Sequence, residues 1–503
     1  MSKPEAELQY GELGANVDRA WAALIESMDP AMPSVMIRGN ELVRWTERGE
    51  LEPYNITSLT DRLSQSTRFY KVDKEGEQEA IDPPRAIADA LLERDSSEYP
   101  NGFRVDSVVE TPVLGSTGAV VDTPGHHPDD RLFYIPAPGL EGVKAADVED
   151  VSDVEEARNF LLETFLGDFG FADESSKANA LALLLTPFVR EYIGNSPTPL
   201  FLIVAPEVGT GKSLLAQAAL LPSCGLVPLT SETKNEEEQR KRITASLLSG
   251  TRAMVLDNIT GSVTSAVLAG AITSGIWTDR RLGQTEQLVL PIRNVWVATG
   301  NNLDLTDDNM RRAVPIVLDP GEVRPSDRPK AAYRHEDLLG WAKKERAALV
   351  KAALTLVKHW TEGEAHLDVM HEKFIRSERR QRAEMTLGSF EKWGETVGGI
   401  LAAASVKDFL KNRTQISNFN NDREETSNFL EKWRAQDTGP LTISELMGLC
   451  SYGGNLHEEL PEDLQGKHLD TRALGLWLRS HRGAKYSGGL IERNMKKRTW
   501  SVR

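Results

Sequence analysis

The stretch from Pro199 to Leu220, PLFLIVAPEVGTGKSLLAQAAL, runs an apolar strand-like segment into Gly209-Thr210-Gly211-Lys212-Ser213 and then directly into an apolar helix-like segment. Few chemistries call for that order. Glycines let the backbone turn its N–H groups inward on an anion, and the helix that follows points the positive end of its dipole at the same place. A lysine at this position reaches the β- and γ-phosphates of a nucleoside triphosphate, and the serine hydroxyl holds Mg²⁺. Gly209, Thr210, Gly211, Lys212, Ser213 and Leu214 are therefore expected to bind ATP. Pro206 stands where the strict motif has its first glycine. The inner glycines, those beside the phosphates, are intact.

Around this loop, residues 198–320 alternate strand-like runs (PLFLIVA, AMVLD, NVWVATG, AVPIVLD) with helical segments. That alternation predicts a parallel sheet covered by helices, with the nucleotide at the carboxyl ends of the strands. The run Ala253-Met-Val-Leu-Asp257 ends in a carboxylate, so Asp257 is expected to hold the Mg²⁺ of Ser213 through water. A third run ends in Asn301-Asn302 and would place an amide, Asn301, at the sheet edge near the γ-phosphate. Arg311 and Arg312 precede the last strand. Between the second and third runs, Trp277-Thr-Asp-Arg280-Arg281 and the strand-like QLVLPIR suggest a hairpin. Arg280 and Arg281 would contact a single strand of DNA or pair with a neighbouring subunit.

The 503 residues exceed a single core, so several domains are expected. Residues 1–148 read as short apolar runs divided by turns, a β-rich module with one helix near Pro84–Glu93. Residues 149–196 read as a helical collar, 197–330 as the ATPase core, 331–420 as a helical extension and 421–503 as helices followed by a basic hairpin. The chain carries a net charge of −16, which by itself disfavours nucleic acid. From Lys467 to Arg503, however, ten basic residues stand against two acids. A terminal segment of that sign is expected to touch DNA, with Lys496, Lys497 and Arg498 at its hairpin. The basic run Lys373 to Arg382, with interspersed acids, reads as a solvated helix face. His126, His127, Asp129 and Asp130 read as a solvated turn, not a metal cluster. Cys224 and Cys450 are expected to be free thiols. No run approaches the roughly eighteen apolar residues of a membrane span, and MSKPEAELQY lacks the pattern of a leader, so a cytoplasmic protein is expected.

Taken together, the order GTGKS, VLDN, VATGNN and NMRRAVPIVLD resembles the AAA+-related helicase module of phage and plasmid replication proteins, akin to superfamily 3 helicases and primase-helicases, over about residues 150–400. The C-terminal GLWLRSHRGAKYSGGLIERNMKKRTWSV is similar to the winged-helix ending of the same proteins. The resemblance implies a multidomain α/β chain with a P-loop core, an ATP- and Mg²⁺-dependent ring, commonly a hexamer, that moves on DNA in replication. It implies that Asn301 is a sensor and that Arg312, or Arg311, reaches the neighbouring subunit's γ-phosphate; a surface pair bound to nearby carboxylates is the other reading. In most such proteins the residue after the metal-binding acid is a second acid, and here it is Asn258. Three readings stay open: Asn258 positions the water, an acid from Glu232–Glu238 takes part, or turnover is slow. Three activities stay open: a translocating helicase, an ATP-dependent switch or remodelling ATPase that unwinds nothing, and an assembly that binds nucleotide without hydrolysing it. The first 150 residues hold no paired carboxylates for two-metal nucleotidyl transfer, so primase activity is not expected.

Overall fold

The computed structural model describes residues 3–46, 50–145, 151–205, 209–231, 233, 235–259, 265–280, 287–301, 311–319, 329, 333–367, 387–412, 425–465, 469–481, 485–486, 489–494 and 497–502. The four apolar runs read as strands all enter one five-stranded sheet. Its spatial order is Leu229–Ser231, Ala253–Ile259, Val295–Asn301, Leu200–Ala205, Ala313–Val317, and every neighbouring pair is parallel. Leu200, Phe201, Leu202 and Ile203 are all buried, as a strand covered on both faces requires.

Helix Glu174–Ile193 packs on strand Ala313–Val317 and on helix Lys212–Cys224, which itself lies across the central strands. Its start is fixed by Asp173, whose carboxylate accepts from Ser176 N at 2.6 Å. The helical extension joins the same core. Trp393, on helix Glu391–Ala403, sits edge-on to Phe201 at 5.8 Å and donates its indole N–H to Thr186 Oγ1 at 3.1 Å. Helices Leu338–Lys344 and Arg346–Leu367 complete this layer. Among the described residues no helix is long and apolar enough to cross a membrane. The basic run Lys373 to Arg382 lies outside the described residues.

The N-terminal module departs from expectation. Its described residues hold the α-helices Leu13–Glu26, Ile56–Ser66 and Arg85–Leu92, of which only the last was expected, together with short strands. The first helix buries Val17, Ala20, Trp21 and Leu24, a helical spacing that packs it against Leu59, Leu63, Ile87 and Leu91. The module is α+β. His126 and His127 lie on a short strand, Gly125–His127, each with a ring nitrogen on a backbone carbonyl, those of Arg104 and Thr123.

This module is joined to the sheet through buried polar contacts. Arg38 donates to the carbonyls of Leu247 and Leu248, at the carboxyl end of helix Glu236–Leu248, where a cation meets the negative end of the helix dipole. Burial lowers the Arg38 guanidinium to about 10, with Asp106 opposing. Asp106 pairs with Arg293 at 3.1 Å, and Arg293 and Arg252 both pair with Glu191. Burial would raise the Glu191 carboxyl, but the two arginines outweigh it and hold it below its ordinary range.

Glu191→Gln should therefore cost about 3–5 kcal/mol of stability at neutral pH, because it leaves two guanidinium groups in a site built for an anion. The sign with pH follows from the lowered pKa: the contribution is present above the unfolded carboxyl value and fades as pH falls through the folded one. Urea melts of wild type and variant should converge toward acid. A difference under about 0.5 kcal/mol at pH 7 would show the network to be dispensable.

The C-terminal residues form a separate core of Phe429, Trp433, Leu446, Leu474, Trp477, Ile491 and Trp500. Helices over 425–435, Ile443–Cys450 and Thr471–Ser480 are followed by the antiparallel pair Gly489–Asn494 and Thr499–Val502. The short strand Leu441–Thr442, ahead of the second helix, pairs with the last strand.

Candidate functional site

Strand Leu200–Ala205 delivers the chain to the loop at the carboxyl edge of the sheet. Gly209 and Gly211 take φ of +80° and +88°, left-handed values that strain any residue with a Cβ. Gly211 is the cap of helix Lys212–Cys224, with its carbonyl accepting from Leu215 N at 2.8 Å, so the helix N-terminus faces the loop. Thr210 and Lys212 are buried, Leu214 is exposed, and Lys212 Nζ donates to Thr210 Oγ1 at 3.1 Å. Burial pushes the Lys212 ammonium below its usual range, and Asp257 pulls it back. A buried cation on a helix, opposed by Asp257 on a strand, is placed to meet an incoming polyanion. Pro206 lies outside the described residues.

The structure brings Ser213 and Asp257 together. Ser213 Oγ donates to Asp257 Oδ1 at 2.6 Å across two elements whose residues are forty-four positions apart. A hydroxyl and a carboxylate oxygen at the mouth of an anion loop are hard oxygen donors, and they fit Mg²⁺, which takes one or two protein ligands and leaves room for phosphate and water. Sequence reasoning missed Thr299. Its hydroxyl, within the strand Val295–Asn301, donates to Asp257 Oδ1 at 2.6 Å and accepts from Asn258 N at 3.0 Å. The available signal was a single threonine inside an apolar strand, two places before Asn301 and on the same face.

Asn301 ends its strand in register with Ala205, the last residue of the loop strand, so its backbone stands beside the loop. Arg311 and Arg312 do not join this group. The carbonyl of Arg312 accepts from Leu200 N at 3.0 Å, which sets both arginines at the amino-terminal edge of the sheet. At about 3.3 Å per residue, five or six strand residues separate them from the loop by roughly 17–20 Å. The acids offered as an alternative base are committed elsewhere. Glu236 accepts from Ala266 N and Val267 N at 3.0 and 3.1 Å, Glu237 pairs with Lys241 at 2.7 Å, and Glu238 pairs with Arg242 at 3.2 Å. Glu232 lies outside the described residues.

The expected hairpin is present as Ile276–Arg280 paired with Gln287–Pro291. Its base is held on helix Glu236–Leu248: Trp277 is buried and donates to Thr244 Oγ1 at 2.9 Å, Thr244 donates to Asp279 at 2.5 Å, and Arg240 lies over the Trp277 ring. Arg280 is exposed at the end of the paired region, and Arg281 falls outside the described residues. In the C-terminal pair, Lys497 and Arg498 are exposed at the turn and Lys496 is outside the described residues. Helix Thr471–Ser480 also exposes Arg472, Leu476 and Arg479 on one face, a stripe not singled out from the sequence.

No protein-family model matches the chain, and no curated protein matches it. Among solved structures, JCV helicase bound to a substituted acetamide aligns at 17% identity with a TM-score of 0.22, over 50% of this chain and 73% of that one.

Proposed function

We propose that this chain is a Mg²⁺-dependent ATPase that works as a ring-forming DNA translocase or helicase. The observation that carries the ATPase reading is the Ser213–Asp257 contact of 2.6 Å beside a glycine loop that caps a helix at the carboxyl edge of a parallel sheet. In this reading the backbone N–H groups at Gly209 to Ser213 cradle the phosphates and Lys212 meets the terminal ones. Ser213 and Asp257 hold Mg²⁺, which neutralises charge on the phosphate oxygens when bound. Asn258 and Asn301 orient the attacking water and the γ-phosphate.

Oligomerisation is supported by the position of Arg311 and Arg312, which stand at the edge of the sheet opposite their own loop, with Arg311 exposed. The DNA reading is supported by the exposed Arg280 on an anchored hairpin and by the basic C-terminal domain. There a helix, a short strand, a helix, the short helix Glu462–Gln465 and helix Thr471–Ser480 precede three antiparallel strands, with the first strand paired to the last; this is the order of a winged helix with one short added helix, and Arg472 and Arg479 lie on the helix before the strands. The reading of residues 331–420 as a helical extension of the ATPase belongs to the same proposal, in which residues 1–148 serve ring contacts, origin recognition or partner binding. A second reading, an ATP-dependent switch that does not unwind DNA, is favoured by one observation: Glu236, Glu237 and Glu238 are all engaged and Asn258 cannot accept a proton.

ATP hydrolysis with Mg²⁺, alone and with single- or double-stranded DNA, separates the readings, with Lys212→Ala as blank. Stimulation by DNA supports translocation, and robust DNA-independent hydrolysis supports the switch. Charge reversal of Lys496, Lys497 and Arg498 should lower duplex affinity about tenfold or more at low salt, with the deficit shrinking as salt rises. Fluorescence anisotropy measures this, and an unchanged affinity removes the winged-helix assignment.

A further inference from the structure

The Asp257 strand and its neighbour run in register up to Leu256 opposite Ala298 and resume with Ile259 opposite Gly300. Two residues, Asp257 and Asn258, therefore stand against one, Thr299. This is a β-bulge, the device by which a strand re-aims a side chain at a site. Asn258 takes φ of +55° in it, the left-handed region that asparagine enters far more readily than longer or branched residues.

Thr299 closes the bulge from the opposite strand. It is 1% exposed, and its hydroxyl spends its one proton on Asp257 Oδ1 and a lone pair on the N–H of Asn258. Ser213 shares that carboxylate oxygen. When a serine of this kind turns its hydroxyl to a metal ion, Thr299 is left as the side-chain donor on Asp257 Oδ1 among the described residues.

We propose that Thr299 is a positioning residue: it stabilises the bulge that aims Asp257 at Ser213 and holds Asn258 in the left-handed conformation beside it. The inference rests on the ATPase reading above. It also accounts for the residue type at 258. The bulge favours a short amide there, and a glutamate would be strained at that backbone angle.

The test uses the full chain, Mn²⁺ as the metal and ADP as the nucleotide. Mn²⁺ binding is followed by electron paramagnetic resonance, and nucleotide binding without metal by a fluorescent ADP in EDTA. Thr299→Val keeps the branched shape and removes both hydrogen bonds. It should weaken Mn²⁺ binding about 10-fold or more, in the range seen when groups that orient a metal ligand are removed, with EDTA-resistant nucleotide affinity unchanged. Thr299→Ser should restore Mn²⁺ affinity. Independently of Thr299, Asn258→Gly should keep Mn²⁺ affinity and Asn258→Ala should lose it, because alanine is strained at positive φ. These two carry the test should Thr299→Val not fold. Equal Mn²⁺ affinity in Thr299→Val and wild type, parallel loss of metal and nucleotide binding, or equal behaviour of the two Asn258 variants overturns the positioning role alone. A wild-type protein that binds no nucleotide under either condition overturns the ATPase reading and the positioning role together.

Discussion

Lys212→Ala protein should hydrolyse ATP about 10³-fold more slowly than wild type, because the ammonium is the one side-chain cation described at the loop and charge developing on the phosphates has no equivalent partner. The loss should fall on turnover more than on the fold. Burial holds the Lys212 ammonium below its usual range, with Asp257 opposing. A lysine whose folded pKa lies below its unfolded one carries its charge at a cost to folding at neutral pH. Lys212→Met, which keeps the length of the stem, should therefore melt at the same temperature as wild type or higher in the absence of nucleotide. Phosphate release with Mg-ATP and a thermal melt without nucleotide give the two numbers. Retained hydrolysis in Lys212→Ala would remove the loop from the chemistry, and a large fall in melting temperature for Lys212→Met would make the lysine structural.

Arg312→Ala should be as damaging to turnover, about 10³-fold or more, for a different reason. Within one chain its backbone pairs with Leu200 at the start of the sheet, while the loop lies past Ala205 at the far end. It cannot reach its own nucleotide, so a large effect requires a second subunit. Nucleotide affinity should change little. Mixing Arg312→Ala with Lys212→Ala subunits should then return part of the activity, since some interfaces would join an intact loop to an intact arginine. A wild-type rate in Arg312→Ala, or mixtures no better than either parent, would place the arginine outside catalysis. Arg311→Ala serves as the neighbouring control.

The loop and the sheet were legible because each is written in consecutive residues. GTGKS needs only its own glycines, and LFLIVA, AMVLD and VWVATG are apolar runs of strand length whose burial on both faces follows from their composition. That Ser213 and Asp257 serve one metal was expected from chemistry, and the hydrogen bond between them puts both groups at one place. Thr299 was not legible, since its role depends on a bulge, and the extra residue of a bulge shows only when two strands are laid side by side. The engagement of Glu236 by the amides of Ala266 and Val267 was hidden for the same reason, being a contact between two helix starts. The helix Leu13–Glu26 was present in the spacing of Val17, Ala20, Trp21 and Leu24, but glycines stand at 11 and 14, at its start, where they lower intrinsic helix preference.

The contact between the front module and the sheet leaves little freedom to either side. A Cβ at Gly39 would fall 2.1 Å from the carbonyl of Val289, Arg38 closes the end of helix Glu236–Leu248, and Asp106 is spent on Arg293. These are demands on ancestry as much as on folding. A recombination joint near residue 149 that imported a foreign front half would have to bring a glycine, an arginine and an acid already spaced to meet carbonyls and a guanidinium it had never encountered. Most such chimaeras would inherit a buried charge without its counterion. The two halves of this chain are thus expected to descend together, with substitutions at 106 tracking those at 293 and with Arg38 and Gly39 held fixed against backbone carbonyls, across a boundary that looks, from the one-dimensional order, like a convenient place to cut.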